Sequence, residues 1–214
     1  MTYLEIVNAV LRRIREPEVD DVTASDFGTL IGDFVNQTKR EVEDAWDWTT
    51  LRQTISFPTV ASQQGYTLTG AGNRFKILQA FNVERDVHLR QIGYTEMNHL
   101  SDVGETQESS PVYYNLRGST GGDPDMNLWP IPDVIETLNF YCKVAQADLS
   151  ANDDVLTVPE WPVILGAWAK ALAERGEDGG TPANKADMHA RVALSDAIAL
   201  DSTNTLDELM WVVE

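Results

Sequence analysis

The sequence predicts an α+β protein: a four-helix bundle built from both chain ends, with an antiparallel β sandwich or small barrel inserted between its halves. Helical periodicity fills roughly the first fifty residues and returns after residue 157. Between these lie six or seven short strand-like segments, separated by Gly, Pro and Asx turns. The apolar stripes at each end need a partner, and only the other end of the chain offers more helix.

Thr2-Tyr3-Leu4-Glu5 is a capping box, with the Thr2 hydroxyl set to accept from the Glu5 amide and the Glu5 carboxylate to accept from the Thr2 amide. Leu4, Val7, Leu11 and Ile14 follow at helical spacing, with Arg12, Arg13 and Arg15 on the other side, and Pro17 is expected to end the helix. Ser25 caps a second helix, whose stripe is Phe27, Leu30, Ile31, Phe34, Val35, Thr38 and Val42. Trp46 and Trp48 stand at its end. Residues 1–50 are therefore read as one bundle half.

Strand patterns begin at residues 53–60, where Pro58 marks an edge or strand end, and continue at 64–69. Residues 75–85 and 87–92 read as a pair joined near Asp86, residues 94–100 as a short helix or loop, and 101–110 as a polar connection. A strand at 111–117 leads into a Gly-rich turn over 118–125. Residues 126–130 and 136–144 then read as a hairpin around 130–134. The inserted β domain is placed at residues 51–156.

Thr157 and Glu160 form a second potential capping box, with Pro162 tolerated in the first turn. Ile164, Leu165, Trp168, Ala171 and Leu172 supply the apolar face, which ends near Gly176. Thr181-Pro182 opens a fourth helix carrying Val192, Leu194, Ala197 and Ile198. These two helices, residues 157–200, are the other bundle half. Residues 201–214 form a tail. Ordering residues 205–214 costs roughly 10 kcal/mol or more in backbone entropy. Burying Leu206, Leu209, Met210, Trp211 and Val212 returns about 1.5–3 kcal/mol each, close to balance. Such a segment is expected to order when a partner supplies a groove or a strand edge, with Trp211 as its main anchor; the alternative is that it folds back on its own bundle.

Sixteen basic and thirty-four acidic residues give a net charge of −18. This excludes wrapping of nucleic acid, which draws on Lys and Arg to displace counterions. The bland reading of the charge is solubility; the sharper one is a surface that repels DNA passing close by. The hydrophobic fraction of 43% is that of a globular protein. No apolar run approaches the roughly 20 residues of a membrane span. The N-terminus carries its basic residues after the apolar ones and does not read as a signal peptide. Cys142 alone allows no intrachain disulfide and reads as a buried small hydrophobe, so a reducing cytoplasm is the expected compartment.

No catalytic constellation emerges. His88, His99 and His189 are far apart, and none has a His or Cys at metal-ligand spacing. The run Gly118-Ser-Thr-Gly-Gly-Asp lacks the Lys and following hydroxyl of a phosphate loop. Asp123-Pro124-Asp125 lacks the oxygen ladder and closing Glu of a calcium loop. Asp153-Asp154 reads as a turn before it reads as half of an acid pair. Trp46, Trp48, Trp161 and Trp168 are expected in the bundle core. Tyr113, Tyr114, Trp129 and Tyr141 are expected as strand aromatics; their alternative is a sugar site. No catalytic, cofactor-binding or metal-binding residue is therefore named. A hydrolase acting on cell wall or nucleic acid, and a carbohydrate-binding receptor module, stand as alternative functions.

Several segments together carry a resemblance: the opening TYLEIVNAVLRRIREPEV, the second helix GTLIGDFVNQTKREVEDAWDW, then LWPIPD, and then ETLNFYCKVAQADLSANDDVLTVPEWPVILGAWAKALAERGED. In content and order they resemble the head-to-tail adaptor (connector) proteins of tailed bacteriophages, the tail tubular protein A-like group. The resemblance covers nearly the whole chain and brings no catalytic residues with it. It implies a virion structural protein at the head–tail junction, assembled in the bacterial host cytoplasm. Its implied partners are the portal protein, a tail nozzle or other tail component, and further copies of itself in a ring, expected to be a dodecamer. DNA would pass through without specific binding, and no membrane or cofactor is implied.

Overall fold

The computed structural model describes residues 1–103, 107–177 and 181–204. The chain divides into two compact units: Met1–Leu51 with Gln146–Glu214, and Arg52–Ala145. The first is helical and the second is built on a sheet.

In the helical unit, α1 (Tyr3–Arg13) begins at the expected capping box: the Glu5 amide donates to Thr2 Oγ1 at 3.3 Å and the Thr2 amide to Glu5 Oε2 at 2.8 Å. It ends before Pro17 takes effect. Arg15 adopts φ 61°, so its amide donates to Arg12 O and the Glu16 amide to Leu11 O, closing the last carbonyls. The buried face is broader than the Leu4/Val7/Leu11/Ile14 stripe, because Tyr3, Ile6, Ala9 and Val10 are also buried while Leu4 is half-buried. Helix α2 (Asp26–Ala45) is capped by Ser25, whose Oγ accepts from the Gly28 amide at 2.9 Å. Its contacts are close: a Cβ on Gly32 would lie 2.2 Å from the Tyr3 hydroxyl.

Helix α4 (Glu160–Leu172) is not capped by Thr157. The Thr157 amide and hydroxyl both donate to Gln146 Oε1, which takes them away from the helix, and Pro159 stands at the N-cap. Gly176, at φ 78°, closes the stretch after α4, and α5 spans Thr181–Ser202. Helices α1, α2 and α4 pack on one another, whereas α5 packs chiefly along α4. A four-helix bundle would set each helix beside two others, so α5 departs from that expectation. Its buried apolar positions are alanines (Ala183, Ala186, Ala193), which suit close approach to one neighbouring helix. Val192, expected on the apolar face, is exposed.

The second unit is one curled sheet of seven strands, neither a sandwich nor a closed barrel. Its strands are β1 (Arg52–Pro58), β2 (Gly65–Thr67), β3 (Phe75–Asn82), β4 (Val87–Gln91), β5 (Tyr113–Thr120), β6 (Asp123–Trp129) and β7 (Thr137–Val144). They lie in the order β1-β7-β3-β4-β5-β6-β2. The pairing is antiparallel except between β4 and β5, which run parallel. Helix α3 (Tyr94–Val103) links those two strands.

Two local readings change with this topology. Residues 118–125 are mostly strand, with the β5–β6 reversal confined to Gly121-Gly122, both at positive φ. Strands β6 and β7 are not a hairpin. Strand β7 crosses to lie between β1 and β3, where Leu138, Phe140 and Cys142 enter the core beside Leu68, Tyr114, Met126 and Leu128. Register shifts at Ile77/Gln79 in β3 and Leu116/Gly118 in β5 each leave one extra residue, which adds local twist and helps curl the sheet.

Candidate functional site

Three of the acidic groups singled out in the sequence hold structural hydrogen bonds. Asp123 Oδ1 accepts from the Gly70 and Gly72 amides at 3.1 and 2.8 Å. Asp125 accepts from the Thr67 and Thr120 hydroxyls, both at 2.7 Å, and these bonds hold its carboxyl below the usual range. Asp154 Oδ2 takes the Ser150 and Ala151 amides, which closes the expected turn and lowers its pKa. His88 Nδ1 is 2.8 Å from Gln79 Nε2, and its ring lies 5.2 Å from that of Phe81. His99 stands on α3 and His189 on α5. Among the described residues no cluster of His, Cys, Asp and Glu could hold a metal. Burial pushes the Cys142 thiol up to about 11, so it is no nucleophile at neutral pH.

The strand aromatics are dispersed. Tyr114 meets Phe140 edge-on at 5.4 Å inside the sheet core, where burial raises its pKa to about 12. Trp129 and Tyr113 pack in a separate cluster with Ile92 and Met97, and Tyr141 is exposed. A common sugar platform is not formed by these four.

Two buried polar networks were not legible as sites. In the helical unit Lys39 and Glu43 are both fully buried, with Lys39 Nζ 3.1 Å from Glu43 Oε1. Lys39 Nζ also donates to the Gln146 carbonyl at 2.7 Å, and the Gln146 amide donates to Glu43 Oε1 at 3.2 Å. The pair therefore grips the residue at which the chain re-enters this unit. Asn36 and Leu149 exchange amide bonds in both directions, each at 2.9 Å, as do Asn8 and Val19. The one sequence signal was opposite charges at i, i+4 flanked by Val35, Thr38 and Val42.

In the β unit Glu136 is the hub. Its Oε1 accepts from Arg85 Nε at 2.6 Å, its Oε2 from Asn82 Nδ2 and Ser110 Oγ at 2.7 Å each, and its amide donates to Thr59 Oγ1 at 2.8 Å. Burial favours the neutral acid, but the bonds from Arg85, Ser110 and Asn82 outweigh it and lower the pKa. Both networks join distant chain segments and offer no open reaction site.

Trp48 is buried, with its indole N–H donating to Val42 O, Trp46 is half-buried, and Trp168 packs at the edge of the helical core. Trp161 departs from the expected core role: it stands half in solvent, with the Arg13 guanidinium 5.0 Å over its ring. It borders a groove between α4 and α5 that Leu165, Val192, Ala193 and Leu200 help to line. The expected docking residues Leu206, Leu209, Met210, Trp211 and Val212 lie outside the described residues. No helix among the described residues is long and apolar enough to cross a membrane.

Compared with known proteins, residues 1–209 of the chain match the family described as SU10 adaptor protein. No curated protein matches the chain.

Proposed function

The chain belongs to the SU10 adaptor protein family, a family of phage head-to-tail adaptors, and on that premise we propose that it forms a ring beneath the portal, joins capsid to tail and lines the DNA exit channel. The match over residues 1–209 carries this reading. The ring is expected to hold twelve copies in the virion and to meet a tail nozzle or other tail component below. The buried networks suit a mechanical part, since they tie remote segments of each unit together and leave their polar groups satisfied.

The charge supports the channel. Each copy brings a net −18, and duplex DNA carries about one negative charge per 1.7 Å of its axis. Acidic groups facing a narrow lumen would repel the duplex within a screening length of about 8 Å and let it pass without sticking. Residues 205–214 are the proposed docking element, anchored by Trp211 with Leu206, Leu209, Met210 and Val212.

Sedimentation with and without the portal tests the reading. The isolated chain is expected near its 23.8 kDa mass and, with portal present, in a large species that electron microscopy shows as a ring on the portal. Deleting residues 206–214 should leave the chain folded, with a cooperative melting transition, and abolish that shift. A stable ring without portal would leave the ring in place and remove only the need for the portal to start its assembly. A full-length chain that stays small in the presence of portal would overturn the assignment.

A further inference from the structure

The groove between α4 and α5 has a volume of about 490 Å³ and is walled mainly by apolar side chains. Three large ones on or beside it stand largely in solvent: Trp161 at 52% exposure, Val192 at 59% and Leu200 at 72%. An apolar strip of this kind along a helix pair is a seat for another amphipathic segment. Because Trp161 opens α4 and Leu200 lies near the end of α5, the groove starts where the chain leaves α5.

That exit point is held in place. Asp201, buried one turn beyond the groove-lining Ala197, accepts from the Trp46 indole at 3.0 Å and from the Thr49 amide and hydroxyl at 3.2 and 2.6 Å. The amides of Thr203 and Asn204 donate back to Leu200 O and Asp201 O, which closes the last turn. In the ten residues that follow, TLDELMWVVE, the apolar positions Leu206, Leu209, Met210 and Val213 recur at i, i+3, i+4 and i+7, the spacing of one helix face. Ten helical residues measure about 15 Å, and the groove follows α5 from Leu200 back to His189 over about the same length. Thr203 to Thr205 supplies a connection within the 2–5 residues that join antiparallel helices.

We infer that the α4–α5 groove is the seat of the chain's own residues 205–214, folded back from the end of α5 within the same protomer. The short tether decides for the same protomer over a second copy, because it holds the segment at an effective concentration in the millimolar range. The inference goes beyond the ring and rests on the groove and the spacing alone. In the assembled particle, the segment would leave this seat to dock elsewhere.

Cysteine pairs in the full chain, without portal, test it. A hairpin turning at Thr203–Asn204 sets Ala197 opposite Met210 and Ala193 opposite Glu214, whereas Ser195 is exposed outside the groove. Under mild oxidation, Ala197→Cys with Met210→Cys is expected to link within one chain at least tenfold faster than Ser195→Cys with Met210→Cys. That rate should not change on tenfold dilution, and Ala193→Cys with Glu214→Cys should behave likewise if the first pair perturbs folding. Covalent dimers or ladders from the groove pairs would assign the groove to a second copy and overturn the inference. Equal rates for groove and control pairs would overturn it as well.

Discussion

The two units each bury a carboxylate, and they satisfy it in opposite ways. In the helical unit Glu43 meets its cation one turn away on the same helix, and neither side chain retains contact with water. In the β unit Glu136 is nearly as buried, but its cation Arg85 is half in solvent and neutral donors from Asn82 and Ser110 share the load. The helical pair also bonds Gln146, some hundred residues away in sequence, where the chain re-enters the unit. The β hub ties the β3–β4 turn to the segment before β7 within its own unit. A unit assembled from two ends of a chain needs a device that recognises the returning end. A unit made from one continuous segment does not.

The sharpest break in this comparison is Lys39→Met. It removes the buried cation bonded to Glu43 and should cost about 3–5 kcal/mol in chemical denaturation, whereas Lys39→Met with Glu43→Leu should recover most of that loss. A single-variant cost below about 1 kcal/mol would show that the pair does not hold Gln146 in place.

Next in size is Glu136→Ala, which strands Asn82 and Ser110 and should cost about 2–3 kcal/mol. Acid sharpens the contrast. The Glu136 carboxyl is held below its ordinary 4.5 in the folded state. Its stabilisation is therefore complete above about pH 4.5 and lost as pH falls through the lower, folded value. Glu136→Gln should flatten this part of the acid-unfolding curve, read by the near-ultraviolet signal of the sheet aromatics. An unchanged curve would remove Glu136 from acid unfolding.

The smallest effect is expected at a local feature. Thr2→Ala removes one half of the α1 capping box and should cost about 1 kcal/mol, seen as a modest drop in melting temperature. Unlike the other two changes, it breaks no contact between remote segments.

Much of the architecture was readable because it is written locally. The α1 capping box, the Ser25 cap and the turn closed by Asp154 depend on residues a few positions apart. The same local logic misled at Thr157, whose capping pattern is satisfied instead by Gln146, and at Val192, whose helical spacing did not bring burial. As for the candidate site, the composition excluded nucleic-acid wrapping and the motifs named no reaction, but the groove beside Trp161 left no mark in either helix read alone.

By itself, the sequence determined the helices, most of the strands, the return to helix after the β segments and a surface of net −18, because each follows from short-range sterics, periodicity or counting. Only the tertiary structure decided that β7 lies between β1 and β3, that Lys39 and Glu43 are buried together, and that Trp161 faces solvent. Those outcomes depend on which remote surfaces meet, and a local pattern states that a side is apolar without stating what covers it.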